Sequence, residues 1–373
     1  MSAVLFNTLD TTDGHRLIEV VLNAERSLNA LNLEMIEVLG PALDAWAADD
    51  GVCAVVLRGA GDRAFCAGGD VVSLYHRINA GDREAPRRYF EAEYRLDHRL
   101  HLFPKPLICW ADGIVMGGGM GLMNGCSVRV VTERSHLAMP EVTIGLFPDV
   151  GGSWFLNRLP GRTGLFLAMT GNPVNAADAL YLGLADRFIE HARYGEMIEA
   201  LQAADWNGLS ADSIVSEITR GLETASESVL NPHSPVRDHY DLIQAITDHD
   251  SVPEIINALL DTQSNDNWIE RAQSAVSQGS PLSLWLIERQ LRICRTLSLR
   301  ECFAAELNLA VQCGLHREFP EGVRALLVDK DRTPAWTFPS VVEVDPQVVD
   351  SFFEPLWRPN PMQDLPMPPD IPL

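Results

Sequence analysis

Two acidic residues stand eight positions apart in an otherwise apolar segment of this 373-residue chain. They are Glu141 and Asp149 in PEVTIGLFPDVGG, residues 140–152. Upstream lie two glycine-rich turns, FCAGGD and GIVMGGGMG. Glycine lets the backbone approach a ligand closely, so its N–H groups can polarise a carbonyl oxygen while a carboxylate reacts beside it. The combination indicates a site that acts on a carbonyl group.

Each of these features also has an ordinary structural interpretation. GGGMG could be only a tight turn into a helix, Glu141 could be a helix cap or a solvated charge, and Asp149 before two glycines is a common turn composition. No GK[ST] follows the glycines, which disfavours a nucleotide P-loop. Ser153 lacks the GxSxG context of a Ser-His-Asp hydrolase, and the apolar neighbours of Cys66 favour packing over thiol chemistry.

The elements that must position these residues alternate in the first half of the chain. Residues 17–23 and 53–58 are short β-rich runs, with a helical apolar pattern between them. This order predicts an α/β domain over residues 1–190. From about residue 190 the pattern becomes amphipathic helix, so 191–336 is predicted to be a helical C-terminal region. Residues 337–373 are predicted to be an extended proline-rich tail without regular helix or sheet.

The formal net charge of −22 and the pI near 4.8 disfavour nucleic acid and anionic membrane surfaces as partners. No 18-residue apolar run and no targeting pattern is present, so the sequence predicts a cytoplasmic protein. The seven cysteines lie mostly in apolar segments without metal-ligand spacing. We therefore expect buried free thiols, no disulfide and no metal site.

Four motifs in this order resemble the enoyl-CoA hydratase/isomerase, or crotonase-like, superfamily. They are LNAERSLNALN (22–32), GAGDRAFCAGGDV (59–71), GIVMGGGMGL (113–122) and PEVTIGLFPDVGG (140–152). Further segments resemble the 3-hydroxyisobutyryl-CoA hydrolase branch, namely FEAEY (90–94), SPLSL (280–284), ECF (301–303) and EGVRALLVDKDRTPAW (321–336). The resemblance implies a spiral of repeated ββα units with C-terminal helices closing the site, and an acyl-CoA substrate. It also implies thioester hydrolysis in valine breakdown, with no separate cofactor because coenzyme A is part of the substrate.

The resemblance also assigns roles by motif position. The thioester oxygen would lie between the backbone N–H groups of Gly69 and Gly118. Glu141 would attack the thioester carbonyl or activate water, Asp149 would hold the 3-hydroxyl or orient water, and Glu93 would line the acyl pocket. Residues expected around the coenzyme A moiety are Ala67, Gly68, Asp70 and Gly117. Lys330 and Arg26 are candidates for its phosphates, and the alternative is that both are ordinary exposed charges beside neighbouring acids.

One departure from the family pattern bears on the reaction. Hydratases of this superfamily carry a catalytic glutamate at the position that is Gly121 here, and adding water across a double bond needs both a base and a proton donor. Gly121 therefore favours the hydrolase. A hydratase or isomerase with one glutamate and one aspartate, and a non-catalytic acyl-CoA-binding or scaffold protein, remain alternatives. A homo-oligomer is possible, because superfamily members often form trimers.

Overall fold

The computed structural model describes residues 2–367 of the chain, which form two compact units. Of the described residues, the first unit comprises 2–69, 99–137 and 174–237, and the second comprises 70–98, 138–173 and 238–367. Each unit therefore collects three separate stretches of sequence.

The strands all precede residue 190 in the described chain. They are β1 (Val4–Asp10), β2 (Arg16–Leu22), β3 (Val52–Gly59), β4 (Ala64–Cys66), β5 (Leu107–Ala111), β6 (Ile114–Met116), β7 (Val128–Val131), β8 (His136–Ala138) and β9 (Arg187–Phe188). One sheet has the order β1-β2-β3-β5-β7-β9, and a smaller sheet has the order β4-β6-β8. Only β1 of the larger sheet runs antiparallel to its neighbour, and the other pairs in that sheet are parallel.

The parallel strands of the larger sheet explain the continuous apolar runs seen in the sequence. The first six residues of β3 are buried, which is typical of a parallel strand covered on both faces. Helices of the first unit pack on this sheet through a core that includes Leu17, Val56, Trp110, Ile214 and Leu222. The predicted α/β arrangement of the first half of the chain is confirmed.

Helices alternate with these strands and dominate the described chain after β9. In chain order the helices are α1 (Leu33–Ala48), α2 (Val71–Asn79), α3 (Ala85–His101), α4 (Gly118–Gly125), α5 (Gly152–Phe155), α6 (Thr163–Thr170), α7 (Ala176–Leu182), α8 (Tyr194–Ala203), α9 (Ala211–Ser226), α10 (Pro235–Asp238), α11 (Tyr240–Thr247), α12 (Val252–Leu260), α13 (Asn267–Gln278), α14 (Pro281–Cys294), α15 (Leu299–Leu315), α16 (Glu318–Val323) and α17 (Pro346–Phe352). The start of α14 is capped, because the side chain of Ser280 accepts from Ser283 N–H and Pro281 occupies the first turn.

The prediction of a tail without regular helix is wrong, because α17 lies within it. The side chain of Asp345 accepts from Gln347 N–H, and Pro346 takes the first helical position, where its missing N–H costs nothing. Further along, the guanidinium of Arg95 on α3 donates to Asp364 and to the carbonyl of Pro361, both at 2.8 Å. The last part of the predicted tail, 368–373, lies outside the described residues.

All seven cysteines are free and buried, as the sequence predicted. Within residues 2–367, no helix has the length and apolar composition needed to cross a membrane. The same range holds no cluster of three or more His, Cys, Asp or Glu side chains arranged to bind a metal ion.

Candidate active site

Both glycine turns belong to the first unit and lie in contact with each other. β4 and β6 pair in parallel, so their carboxyl ends meet at one edge of the small sheet, and a glycine turn follows each strand. A Cβ on Gly68 would lie 3.4 Å from the carbonyl oxygen of Met116 and 3.9 Å from the nitrogen of Gly118. The φ of Gly68 is +114°, a conformation that other residues rarely adopt. Glycine at this position therefore permits both the turn and the close approach.

Two backbone donors of these turns have no acceptor among the described residues. The Gly69 N–H and the Gly118 N–H make no hydrogen bond, whereas Ala67 N–H donates to Leu28 at 3.0 Å. Gly118 begins α4, and the N–H groups of a first helical turn have no partner within the helix. Such donors can stabilise a carbonyl oxygen that gains negative charge.

The second unit brings together the three predicted carboxyl groups. Glu141 opens a short 3-10 turn (Glu141–Ile144), Asp149 follows it, and Glu93 lies on α3. Their exposed fractions are 2% for Glu93, 5% for Glu141 and 4% for Asp149. Oε2 of Glu141 and Oε1 of Glu93 are buried and have no hydrogen-bond partner among the described residues. Three carboxyl groups in one buried place are electrostatically costly, which is typical of a functional site.

Burial changes the acidity of this cluster. It raises the pKa of Glu141 well above its ordinary value, and the charge of Asp149 raises it further. The pKa of Glu93 is raised by burial and then by Asp149 and Glu141. Burial also raises the pKa of Asp149, but a hydrogen bond from Tyr94 opposes this and leaves the pKa at about 6. The hydrogen bond from Tyr94 therefore favours the ionised form of Asp149.

Sequence reasoning missed Tyr94, whose hydroxyl donates to Oδ2 of Asp149 at 2.5 Å. Tyr94 was visible in the FEAEY motif beside Glu93, but no local spacing rule connects a helical tyrosine with a loop aspartate 55 residues away.

Sequence reasoning also missed Glu306 on α15. Its carboxylate accepts from the backbone N–H groups of Gly151 and Ser153, both at 2.8 Å, and so holds the turn that follows Asp149. Burial raises the pKa of Glu306 to about 8. An available signal was the position of this acid in the apolar helical run FAAELNLAV, because an acid on a buried helix face needs partners.

The predicted coenzyme A contacts lie in both units. In the first unit Ala67 is half-buried, Gly117 has a φ of +48°, and Arg26 is exposed. In the second unit the side chain of Asp70 caps α2 by accepting from Ser73 N–H at 3.1 Å, so its carboxylate already has a structural partner.

Lys330 is exposed in the second unit, between two acids. Asp329 and Asp331 both accept from the guanidinium of Arg324, at 2.6 and 2.7 Å. The two acids that flank Lys330 in sequence are therefore already paired with Arg324. Lysine is a common phosphate ligand in proteins.

Comparisons with known proteins place these features in a family. The sequence profile of the enoyl-CoA hydratase/isomerase family matches residues 17–353. The mitochondrial 3-hydroxyisobutyryl-CoA hydrolase of Gallus gallus is 38% identical over 341 residues, which cover 90% of this chain and 86% of that protein. This relative, like those matched from Homo sapiens and Arabidopsis thaliana, is named as mitochondrial. The finding overturns the prediction of a cytoplasmic protein, which rested on the absence of a targeting pattern and of an 18-residue apolar run.

Solved structures confirm the predicted crotonase-like fold. A structure described as a carnitinyl-CoA dehydratase from Mycobacterium thermoresistibile superposes with a TM-score of 0.83 at 34% identity, covering 95% of this chain and 97% of that one. One described as an enoyl-CoA hydratase from Rhodobacter sphaeroides gives a TM-score of 0.80 at 32% identity, covering 95% and 98%. The chain therefore belongs to the enoyl-CoA hydratase/isomerase family, and the predicted resemblance to that family is confirmed.

Proposed function

We propose that the protein hydrolyses the thioester of 3-hydroxyisobutyryl-CoA, or of a similar short branched 3-hydroxyacyl-CoA, to the free acid and coenzyme A. The observation that carries this proposal is the buried carboxyl of Glu141, whose Oε2 has no hydrogen-bond partner in the described chain. A buried polar atom without a partner is costly, so its retention favours a reactive role. The curated relatives named as 3-hydroxyisobutyryl-CoA hydrolases support the choice of substrate.

In the first possible mechanism, the carboxylate of Glu141 attacks the thioester carbonyl carbon. The oxygen of that carbonyl becomes negative and accepts from the N–H groups of Gly69 and Gly118, each donor contributing roughly 3 to 4 kcal/mol at that moment. The C–S bond then breaks, coenzyme A leaves as a thiolate that takes up a proton, and the acyl group remains on Glu141 as an anhydride. Water hydrolyses the anhydride and restores the carboxylate.

In the second mechanism, Glu141 acts as a general base. It takes a proton from water as the water oxygen attacks the carbonyl carbon, and it returns that proton to the departing thiolate. Both mechanisms require an ionised Glu141 and the same two backbone donors. Hydroxylamine separates them, because it converts an anhydride of Glu141 into a stable hydroxamate that mass spectrometry detects.

The first test is release of coenzyme A from 3-hydroxyisobutyryl-CoA, measured with a thiol reagent. We expect rapid thiol release and unchanged ultraviolet absorbance of crotonyl-CoA under the same conditions. A blank without substrate corrects for the seven cysteines of the protein, which are buried in the folded chain. Loss of crotonyl-CoA absorbance without thiol release would contradict the proposal and indicate a hydratase. Binding without either reaction would indicate a non-catalytic acyl-CoA-binding protein.

A hydratase is the second candidate function, because the two structural neighbours are described as a hydratase and a dehydratase. Gly121, which is buried in α4, is the residue that separates the two reactions. We expect Gly121→Glu to lower thioester hydrolysis by at least about tenfold, or ~1.4 kcal/mol of transition-state stabilisation, because a glutamate side chain at this buried position would disturb α4, whose first residue, Gly118, supplies a proposed backbone donor.

The matched control is Gly121→Ala, which adds only a methyl group, and thiol release is measured for both variants. We expect the alanine variant to retain more activity than the glutamate variant. If the parent protein already hydrates crotonyl-CoA and Gly121→Glu leaves that rate unchanged, then Gly121 does not distinguish the two reactions.

A further inference from the structure

Tyr94 makes a buried hydrogen bond to Asp149 that neither the family motifs nor the proposed mechanism uses. Its hydroxyl lies 2.5 Å from Oδ2 of Asp149, and its side chain is completely buried. A hydrogen bond from a hydroxyl to an ionised carboxylate is stronger than one between neutral groups. Removing the Tyr94 hydroxyl should therefore disfavour the ionised form of the Asp149 carboxyl group.

The ring of Tyr94 is fixed by its neighbours. Phe90, one turn earlier on α3, and Phe303 on α15 each place a ring centroid 5.9 Å from that of Tyr94. Aromatic rings at this separation attract each other and restrict the side-chain torsions. The hydroxyl consequently points at Asp149 from a rigid support.

Asp149 itself stands on a strained turn. The next residue, Val150, has a φ of +53°, which is unfavourable for a β-branched side chain, and Gly151 follows with a φ of +84°. Strain of this kind persists only where the surroundings impose it, and it is concentrated at functional sites. Glu306 holds the backbone on the far side of the turn, while Tyr94 holds the carboxylate.

The remaining titratable groups around Asp149 oppose its ionisation or stay neutral. Glu93 on α3, Glu141 on the 3-10 turn, and Glu306 on α15 interact with its charge as like charges. The thiol of Cys313 on α15 has a raised pKa, caused by burial and by Asp149. Among the side chains of the described residues, Tyr94 is the hydrogen-bond donor to this carboxylate.

We propose that Tyr94 is a positioning residue whose hydroxyl holds the Asp149 carboxylate in the one orientation that the reaction uses. The catalytic part of this inference rests on the proposed function, in which Asp149 binds the 3-hydroxyl or orients water. The structural part does not, because the contact exists in the protein without substrate.

The catalytic part is tested with Tyr94→Phe, Asp149→Asn and the double variant in the full-length protein. We expect Tyr94→Phe to lower kcat/KM for 3-hydroxyisobutyryl-CoA by roughly 10- to 100-fold, since a misplaced group in a catalytic arrangement costs about this much. Adding Tyr94→Phe to Asp149→Asn should cause almost no further loss of kcat/KM. Substitutions of residues that act through one another have non-additive effects.

Tyr194→Phe is the matched control. Its hydroxyl donates to Oε1 of Glu19 at 2.5 Å in the first unit, so the change removes a hydrogen bond of the same type and length elsewhere. We expect its kcat/KM to stay within about twofold of the parent, in line with a purely structural bond. Tyr94→Phe with unchanged kcat/KM, or with the same fold loss in the Asp149→Asn background, overturns the proposal.

A titration without substrate keeps the structural part separate from the proposed function. Carbon-13 NMR of protein labelled at aspartate carboxyls identifies Asp149 as the resonance missing from Asp149→Asn. We expect an apparent pKa near 6 in the parent and an upward shift in Tyr94→Phe, because loss of a donor to the carboxylate disfavours the ionised form. An unshifted resonance overturns the proposal even if the protein hydrolyses the thioester. A shifted resonance in a protein that releases no coenzyme A refutes only the proposed function.

Discussion

Replacing Glu141 by Gln is expected to lower turnover of 3-hydroxyisobutyryl-CoA by roughly 10²- to 10⁴-fold. Glutamine keeps the shape of the side chain but can neither attack a carbonyl carbon as a carboxylate nor accept a proton from water. The backbone donors at Gly69 and Gly118 are untouched, so binding of the coenzyme A ester should remain largely intact. The rate of thiol release at saturating substrate gives kcat. Calorimetric titration of the variant with the intact substrate gives the affinity.

Glu288→Gln is the matched control for this variant. Glu288 is a half-buried acid of the same unit, it also has a raised pKa, and it pairs with Arg292 at 3.2 Å. Its replacement should leave turnover near that of the parent. Near-normal turnover of Glu141→Gln would contradict both mechanisms proposed for Glu141, since both require its carboxylate.

The raised pKa of Glu141 also gives the sign of the pH dependence. Because the ionised form is required and burial favours the protonated form, kcat/KM of the parent should rise with pH above the ordinary range of a glutamate. The carboxyl groups interact, so the observed acid limb belongs to the cluster and not to Glu141 alone.

The parts of the site that the sequence could predict are those encoded in short segments. The two glycine turns, Glu141 and Asp149 each lie within one motif, and a motif of a dozen residues carries its own turn geometry and its own chemistry. The parallel strands were predictable for the same reason, since strands buried on both faces read as continuous apolar runs. Local physics was sufficient for these features.

The parts that could not be predicted depend on contacts between distant residues. Tyr94 meets Asp149 across 55 positions of sequence, and Glu306 meets Gly151 across 155. Neither hydrophobic periodicity nor the rules for turns can indicate contacts between residues so far apart in sequence. Helix α17 was missed for a different reason, because the prolines around it were counted as breakers although Pro346 stands where a proline favours a helix start.

The buried acids make the carboxyl cluster a source of instability as well as of chemistry. Each of Glu93, Glu141, Asp149 and Glu306 has a raised pKa with burial as the first cause. A carboxyl group whose pKa is raised by folding makes the folded state less stable as pH rises from the unfolded pKa to the folded pKa, so the cluster lowers stability as pH rises. A protein selected for stability alone would not keep four such groups, which supports their retention for catalysis.

Asp149→Asn is therefore expected to weaken activity and strengthen the fold at the same time. Its loss of activity should reach about 100-fold or more in kcat/KM, because the neutral amide can neither accept a proton nor hold the 3-hydroxyl as a charged acceptor. The folded pKa of about 6 exceeds the ordinary value of 3.8, so ionised Asp149 destabilises the parent. A pKa raised from 3.8 to about 6 corresponds to a cost of about 3 kcal/mol at most, and asparagine removes this cost.

The expected gain in stability of Asp149→Asn is tested by measuring how it depends on pH. Above pH 6 both the folded and the unfolded parent carry an ionised Asp149, so the variant should show its full advantage in thermal melting at pH 8. As pH falls from about 6 towards 3.8, the folded parent takes up the proton first, the penalty disappears, and the two melting temperatures should converge. Asp248→Asn, which removes an exposed acid paired with Arg162, provides the comparison for a surface charge. If Asp149→Asn melts below the parent at pH 8, then the hydrogen bond from Tyr94 outweighs the cost of burying the charge, and Asp149 stabilises the turn that carries it.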